Sequence, residues 1–326
     1  MSRDRSIWSK SGVSAAALAA LCACSSLAAR PAPYVLQPGH IDLERGPDGN
    51  TVILDTAQGL VVIDTGRSAD HSALIVKQAN WVRKPVIALV NTHWHLDHTT
   101  GNRDLLALWP KARLVATGAV SGALDGFLKR SREQSDAALA DPKLPKAERA
   151  RIERANAAMD DQAALVPAQP VTRDGPLKIG ARRFDLHVAN AAATEADLWL
   201  TVPDEQLAVV GDLVVAPVPF FDTGCEEGWK AALAAISAAK WKVLIPGHGA
   251  PMNRTQFGRW RTAFGAWLDC AHSQAAVKDC TDGWMKAAQG FYTDAEAPSV
   301  RLLSDYYVQQ ILRAPADKRM TYCRKA

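Results

Sequence analysis

Short runs of β-branched and aliphatic residues, separated by turns rich in Gly, Pro and Asp, recur from Tyr34 to about Met252. Residues 51–54 (Thr-Val-Ile-Leu) and 60–63 (Leu-Val-Val-Ile), split by Ala57-Gln58-Gly59, predict a hairpin. Residues 85–90 are continuously apolar and predict a strand buried on both faces, ending at the richest histidine cluster in the chain. Further strands are predicted over 183–188, 198–202, 207–210 and 243–245, with a helix over 229–239. Strands interleaved with helices in both halves predict a layered α/β architecture.

Two segments depart from this rhythm. Residues 121–162, rich in Ala, Arg, Glu, Lys and Asp and broken at Asp141-Pro142-Lys143-Leu144-Pro145, read as an inserted helix pair. A solvated surface hairpin is the expected role for it, with a lid over the site as the alternative. Residues 253–326 read as a C-terminal helical, cysteine-containing extension to a domain over 34–252, with Trp260, Trp267 and Trp284 as packing residues.

The N-terminus has a different character. Arg3, Arg5 and Lys10 precede an apolar stretch over 13–21 and then small residues, the layout of a signal peptide over 1–29. The run is shorter than the ~18 to 20 residues that span a bilayer, so no transmembrane segment is expected. Two outcomes stay open: cleavage after Ala28 or Ala29, or use of Leu21-Cys22-Ala23-Cys24 as a lipobox with Cys24 lipidated. Either implies a periplasmic, secreted or membrane-anchored protein. There Cys225, Cys270, Cys280 and Cys323 can oxidise. All three pairings are open, and at least one bridge is expected in the tail.

Composition narrows the class. A chain of 326 residues, 48% hydrophobic and 22% charged, is globular rather than fibrous or disordered. Its net charge of only +4, with no dense basic block, gives no footprint for nucleic acid. A small molecule is the expected binding partner.

The chemistry is concentrated in His93, His95, Asp97 and His98, three imidazoles and a carboxylate within six residues. That donor set suits zinc or another borderline divalent metal. Asp212, after Val210-Gly211, and His248, within Pro246-Gly247-His248-Gly249, each add a donor where a predicted strand meets a loop. A lone Asp or His in such a place is usually structural. Following an H-x-H-x-D-H motif, they point to a metal site.

The combination resembles the metallo-β-lactamase superfamily over about residues 34–252, including the Val62-Ile63-Asp64-Thr65-Gly66 segment. The resemblance implies a four-layer αββα sandwich with one or two zinc ions in a cleft at one edge of the sheets. It implies His93 and His95 on a first metal, Asp97, His98 and His248 on a second, and Asp212 bridging both. Asp64 would support the loop. The sequence departs from the family at Ala193, where the pattern of 192–198 usually carries a third histidine for the first metal. The second position is therefore expected to be the tighter. His187 and Glu195 are the nearest candidates to replace that ligand, and a surface or core role is expected for each.

Bound metal lowers the pKa of water to about 7, and Asp97 is the residue placed to orient the water and move its proton. The expected function is an exported zinc-dependent hydrolase of ester, thioester, lactone or amide-type substrates. A β-lactamase and a catalytically silent metal-binding partner protein are the alternatives. The signal segment, residues 222–225 leading to Trp229, and the cysteine-containing tail also resemble exported members associated with bacterial quinoprotein relay systems.

Overall fold

The computed structural model describes residues 34–43, 46–315, 318 and 320–324. The predicted signal segment, with Cys24, lies outside them. Residues 33–326 form one compact unit.

The first sheet runs in the order of the chain: β1 (Val35–Gln37), β2 (Thr51–Asp55), β3 (Leu60–Ile63), β4 (Val86–Val90) and β5 (Arg113–Val115). β2 and β3 form the predicted antiparallel hairpin, and β4 then joins β3 in parallel. That parallel step needs a crossover, supplied by α1 (Ala69–Val82). α1 starts where the Ser68 side chain accepts from the His71 amide. After β4 come α2 (Leu96–Thr99) and α3 (Asn102–Leu108).

The charged segment forms three helices rather than a pair: α4 (Ala119–Asp125), α5 (Phe127–Leu139) and α6 (Lys146–Asp160). Gly126 divides the first two, and the predicted break at 141–145 divides the last two. Leu128 of α5 and Met159 of α6 pack with Trp94 and Leu96, so the insertion sits on the histidine loop.

The second sheet has the order β10-β9-β8-β7-β6, from β6 (Gly175–Ile179), β7 (Arg182–Asn190), β8 (Ala196–Val202), β9 (Leu207–Val209) and β10 (Val243–Ile245). It is antiparallel except for the β9–β10 pair, whose connection contains α7 (Glu226–Ala238).

Alternation along the strands sets the layers. Val52, Leu54, Val61 and Ile63 meet Phe184, Leu186, Leu198 and Leu200 between the sheets. Ile53, Leu60, Val62 and Leu89 face Ile75 and Ala79 of α1 and Leu105 of α3. The other face of the second sheet presents Trp199, Ala208 and Leu244 to α7 and to α8 (Arg254–His272). The order helix, sheet, sheet, helix is the predicted αββα sandwich.

Described residues from Phe257 to Leu312 share this outer core. α8, α9 (Val277–Ala287) and α10 (Ala297–Tyr306) place Trp260, Trp267, Trp284 and Val300 in the same cluster as Trp229 of α7. The indole N–H groups of Trp229, Trp260 and Trp284 donate to the carbonyls of Leu213, Val215 and Pro217 at 2.9, 3.1 and 2.9 Å. The helical layer thus satisfies the irregular backbone that follows Asp212. Two disulfides close the tail, Cys270–Cys280 and Cys225–Cys323. Among the described residues no helix is long and apolar enough to cross a membrane.

Candidate metal centre

Three strand ends deliver the donors. The loop after β4 carries His93 and His95 and continues into α2 with Asp97 and His98. Asp212 follows β9 in a short 3₁₀ turn, and His248 follows β10. Two glycines let these loops meet. Gly211 has a left-handed φ of +52°, and a Cβ there would stand 2.3 Å from Thr92 Oγ1. A Cβ on Gly247 would lie 1.9 Å from Asp212 Oδ1.

The six predicted donors come together as two groups sharing Asp212: Asp97, His98, Asp212 and His248, and His93, His95 and Asp212. Within each, the ligand atoms lie within 4.8 Å of one another. Asp212 Oδ1 is 3.2 Å from His98 Nε2 and 3.5 Å from His248 Nε2, while its Oδ2 faces His93 Nε2 at 3.6 Å. His248 Nε2 is also 3.1 Å from Asp97 Oδ2.

These residues fit a metal. His93 Nε2 and both oxygens of Asp212 are buried without a hydrogen-bond partner. Orphaned buried polar atoms are costly, and buried carboxylates are normally paired or bound to metal. Four donors on one side and three on the other match closed and open zinc sets respectively.

A layer of hydrogen bonds fixes which ring nitrogen faces inward. Asp64 accepts from the Thr92 amide at 2.8 Å, the Thr92 hydroxyl at 2.7 Å and His98 Nδ1 at 2.8 Å. Because the Thr92 hydroxyl gives its one proton to Asp64, its 3.0 Å contact with His93 Nδ1 is one it accepts. Both His93 and His98 therefore turn Nε2 toward Asp212. Thr223 treats His95 differently: its hydroxyl donates to the Ala193 carbonyl at 2.8 Å and accepts from His95 Nε2 at 2.9 Å, leaving Nδ1 for a metal.

Electrostatics agree. Burial opposes charge on Asp212, but His98, His248 and His93 outweigh it and hold the carboxyl far below its usual range. Burial likewise opposes charge on Asp97, yet His98, the hydrogen bond from His248 and Arg67 keep it well below that range. Burial, with His98 and His95 nearby, pushes His93 well below the usual histidine value, and burial lowers His95. Both shifts favour the neutral imidazole, the form that ligates metal. His98 is opposed by burial and raised well above its usual value by Asp212, Asp64 and Asp97. The buried carboxylates thus call for a cation.

The metallo-β-lactamase superfamily model matches residues 45–248, an interval containing every one of these donors. The chain belongs to the metallo-β-lactamase superfamily. A curated relative, the linear primary-alkylsulfatase of Pseudomonas sp. (strain ATCC 19151), is 25% identical over 226 residues, covering 62% of this chain and 41% of the relative. The chain thus spans less than half of that relative's length. Among solved structures, a metallo-β-lactamase family protein from Thermus thermophilus aligns with a TM-score of 0.55 at 16% identity, over 84% of this chain and 93% of that one. The sec-alkylsulfatase Pisa1 from Pseudomonas sp. aligns with a TM-score of 0.52 at 16% identity, over 80% and 47%. These likenesses describe the fold.

Within this superfamily member, Ala193 is buried in the outer core and brings no side-chain donor to the group of His93, His95 and Asp212. His187 stacks on Trp199 at 4.0 Å and pairs with Asp174, outside both groups. Glu195 joins neither group. His71 bonds Thr51, and His272 pairs with Glu226. Asp97 and His95 open onto a cleft of about 190 Å³ also lined by Arg67, Trp94, Phe127 and Phe220. Trp94 does two jobs there, packing on Phe127 and forming part of the wall. Sequence reasoning missed Thr223 and Arg67. The only local signal was that Arg67 follows the Asp64-Thr65-Gly66 turn.

Proposed function

We propose that the chain is a zinc-dependent hydrolase that cleaves an ester, thioester, lactone or amide-type substrate in the cleft at Asp97. The observation that carries this reading is the pair of donor groups sharing Asp212 beneath an accessible cleft. When bound, zinc supplies Lewis acidity and a water of pKa about 7. His98, His248, Asp97 and Asp212 would hold one ion, and His93, His95 and Asp212 the other. Asp97 belongs to a donor group and also lines the cleft, so it is the residue placed to hold or pass a proton at its carboxylate. Trp94, Phe127 and Phe220 give that cleft an apolar wall.

The test is hydrolysis by the zinc-loaded protein of a panel holding a carboxylic ester, a thioester, a lactone, an alkyl sulfate, as the relatives' names suggest, and the β-lactam nitrocefin. Turnover of at least one, abolished by chelation and by His248→Ala, is the expected result. Full metal content with no turnover would favour the metal-binding partner reading, and turnover of nitrocefin alone would favour the β-lactamase reading.

The reading includes work outside the cytoplasm, either as a cleaved protein or as a lipoprotein at Cys24. Two disulfides in the described part of the chain support it. Residues 1–30 fused to a reporter should carry it out of the cytoplasm, and Cys24→Ser should release the protein from membranes if the lipobox is used. A reporter retained in the cytoplasm would contradict export.

A further inference from the structure

The side chain of Arg67 is about four-fifths buried, yet its hydrogen-bond donors are poorly matched. Nε is buried with no hydrogen-bond partner, and Nη2 comes only to 3.7 Å from Asp97 Oδ1, beyond hydrogen-bond reach. A partly buried guanidinium with unfilled donors is expensive and attracts an acceptor. The backbone holds it in that state. The Arg67 amide donates to Asp48, and its carbonyl accepts from Arg154 Nε at 2.8 Å, an arginine of α6 that also bonds Ser72 Oγ at 3.0 Å. The insertion thus clamps the residue that opens on the cleft.

The rest of the cleft is mostly apolar. Trp94, Leu96, Phe127, Leu128 and Phe220 line it, with Asp222 as a further acid that is engaged by the Tyr307 hydroxyl at 2.7 Å. Asp97 turns its other oxygen to His248 at 3.1 Å, so it offers Arg67 a charge at 3.7 Å but no hydrogen bond.

We propose that the substrate is an amphiphilic oxyanion, its anionic group held by Arg67 and its apolar part lying against Phe127, Leu128 and Phe220. The proposal rests on the hydrolase reading for the site, but its test does not need turnover. A carboxylate and a sulfate each offer two acceptor oxygens to the guanidinium fork, and the probes below separate them.

Calorimetry on the zinc-loaded full chain would measure binding of 4-phenylbutyrate, 4-phenylbutyl sulfate, 4-phenylbutanol and acetate. At least one phenylbutyl anion should bind ten times or more tighter than both the alcohol, which lacks the charge, and acetate, which lacks the apolar part. The tighter anion identifies the group. Arg67→Gln should remove at least tenfold of that affinity, Arg67→Lys should remove less, and zinc content should be unchanged in both. A merely structural Arg67 would weaken anion and alcohol alike. Equal binding of anion and alcohol by the parent, or undiminished anion binding in Arg67→Gln, would overturn the proposal. If Arg67→Gln does not fold, the comparison within the parent and with Arg67→Lys still decides. Anion binding lost with Arg67 but no ester hydrolysed would retain this inference and sink the hydrolase reading.

Discussion

The hydroxyl of Thr223 stands 2.9 Å from His95 Nε2, across 128 residues of sequence. It is fully buried, and its own proton goes to the carbonyl of Ala193, the position where the superfamily pattern has its third histidine. The three-donor group of His93, His95 and Asp212 thus keeps an oriented His95. Replacing Thr223 by Val removes that acceptor. Zinc affinity of the His93–His95 position is expected to fall by about 10- to 100-fold, the usual cost of losing a hydrogen bond to a ligand. Thr223→Ser should retain most of it. A competition titration reads this, and equal affinities in Thr223→Val and the parent would contradict it.

The tail is tied to that same loop. Tyr322 donates to the Thr223 carbonyl at 2.8 Å, and Cys323 is bonded to Cys225. The Cys225–Cys323 bridge closes 98 residues and the Cys270–Cys280 bridge only 10. Loop entropy gives about 4.7 kcal/mol for a loop near 100 residues and about 3 kcal/mol for one of 15. Cys323→Ser is therefore expected to destabilise the protein more than Cys280→Ser in urea unfolding, and to weaken zinc binding at the His95 position. The reverse order of stabilities would count against this account.

Legibility in the sequence followed burial. β2, β3, β4 and β8 are interior strands whose apolar runs stand out against polar turns. β1, β5 and β6 were not predicted, and all three are sheet edges with one neighbour and exposed positions. Short edge strands with polar residues carry little signal. The six donors were legible because each lies in a compact motif at a strand end. Thr223 and Arg67 were not, since their roles arise from contacts made only after the sandwich closes. The cysteine pairing was unreadable for the same reason.

A pH effect should trace to Asp197. Burial pushes its carboxyl up to about 7, against hydrogen bonds from the Thr194 amide and hydroxyl. The folded protein then binds this proton more tightly than the unfolded chain, whose Asp titrates near 3.9. Its stabilisation is present below about pH 4 and is lost as pH rises toward 7, by at most about 1.4 kcal/mol per unit. In metal-free protein, Asp197→Asn should therefore gain stability relative to the parent across that window. A constant difference from pH 4 to 7 would show that Asp197 does not titrate there.

The central claim is a metal centre of two unequal positions sharing Asp212, and calorimetric zinc titration of the metal-free protein tests it most directly. Two phases are expected, the first and tighter belonging to Asp97, His98, Asp212 and His248. His248→Ala should remove the tight phase, whereas His93→Ala should leave it and remove the weaker one. Two equally tight ions in the parent, or a tight phase that survives the loss of His248, would contradict the account.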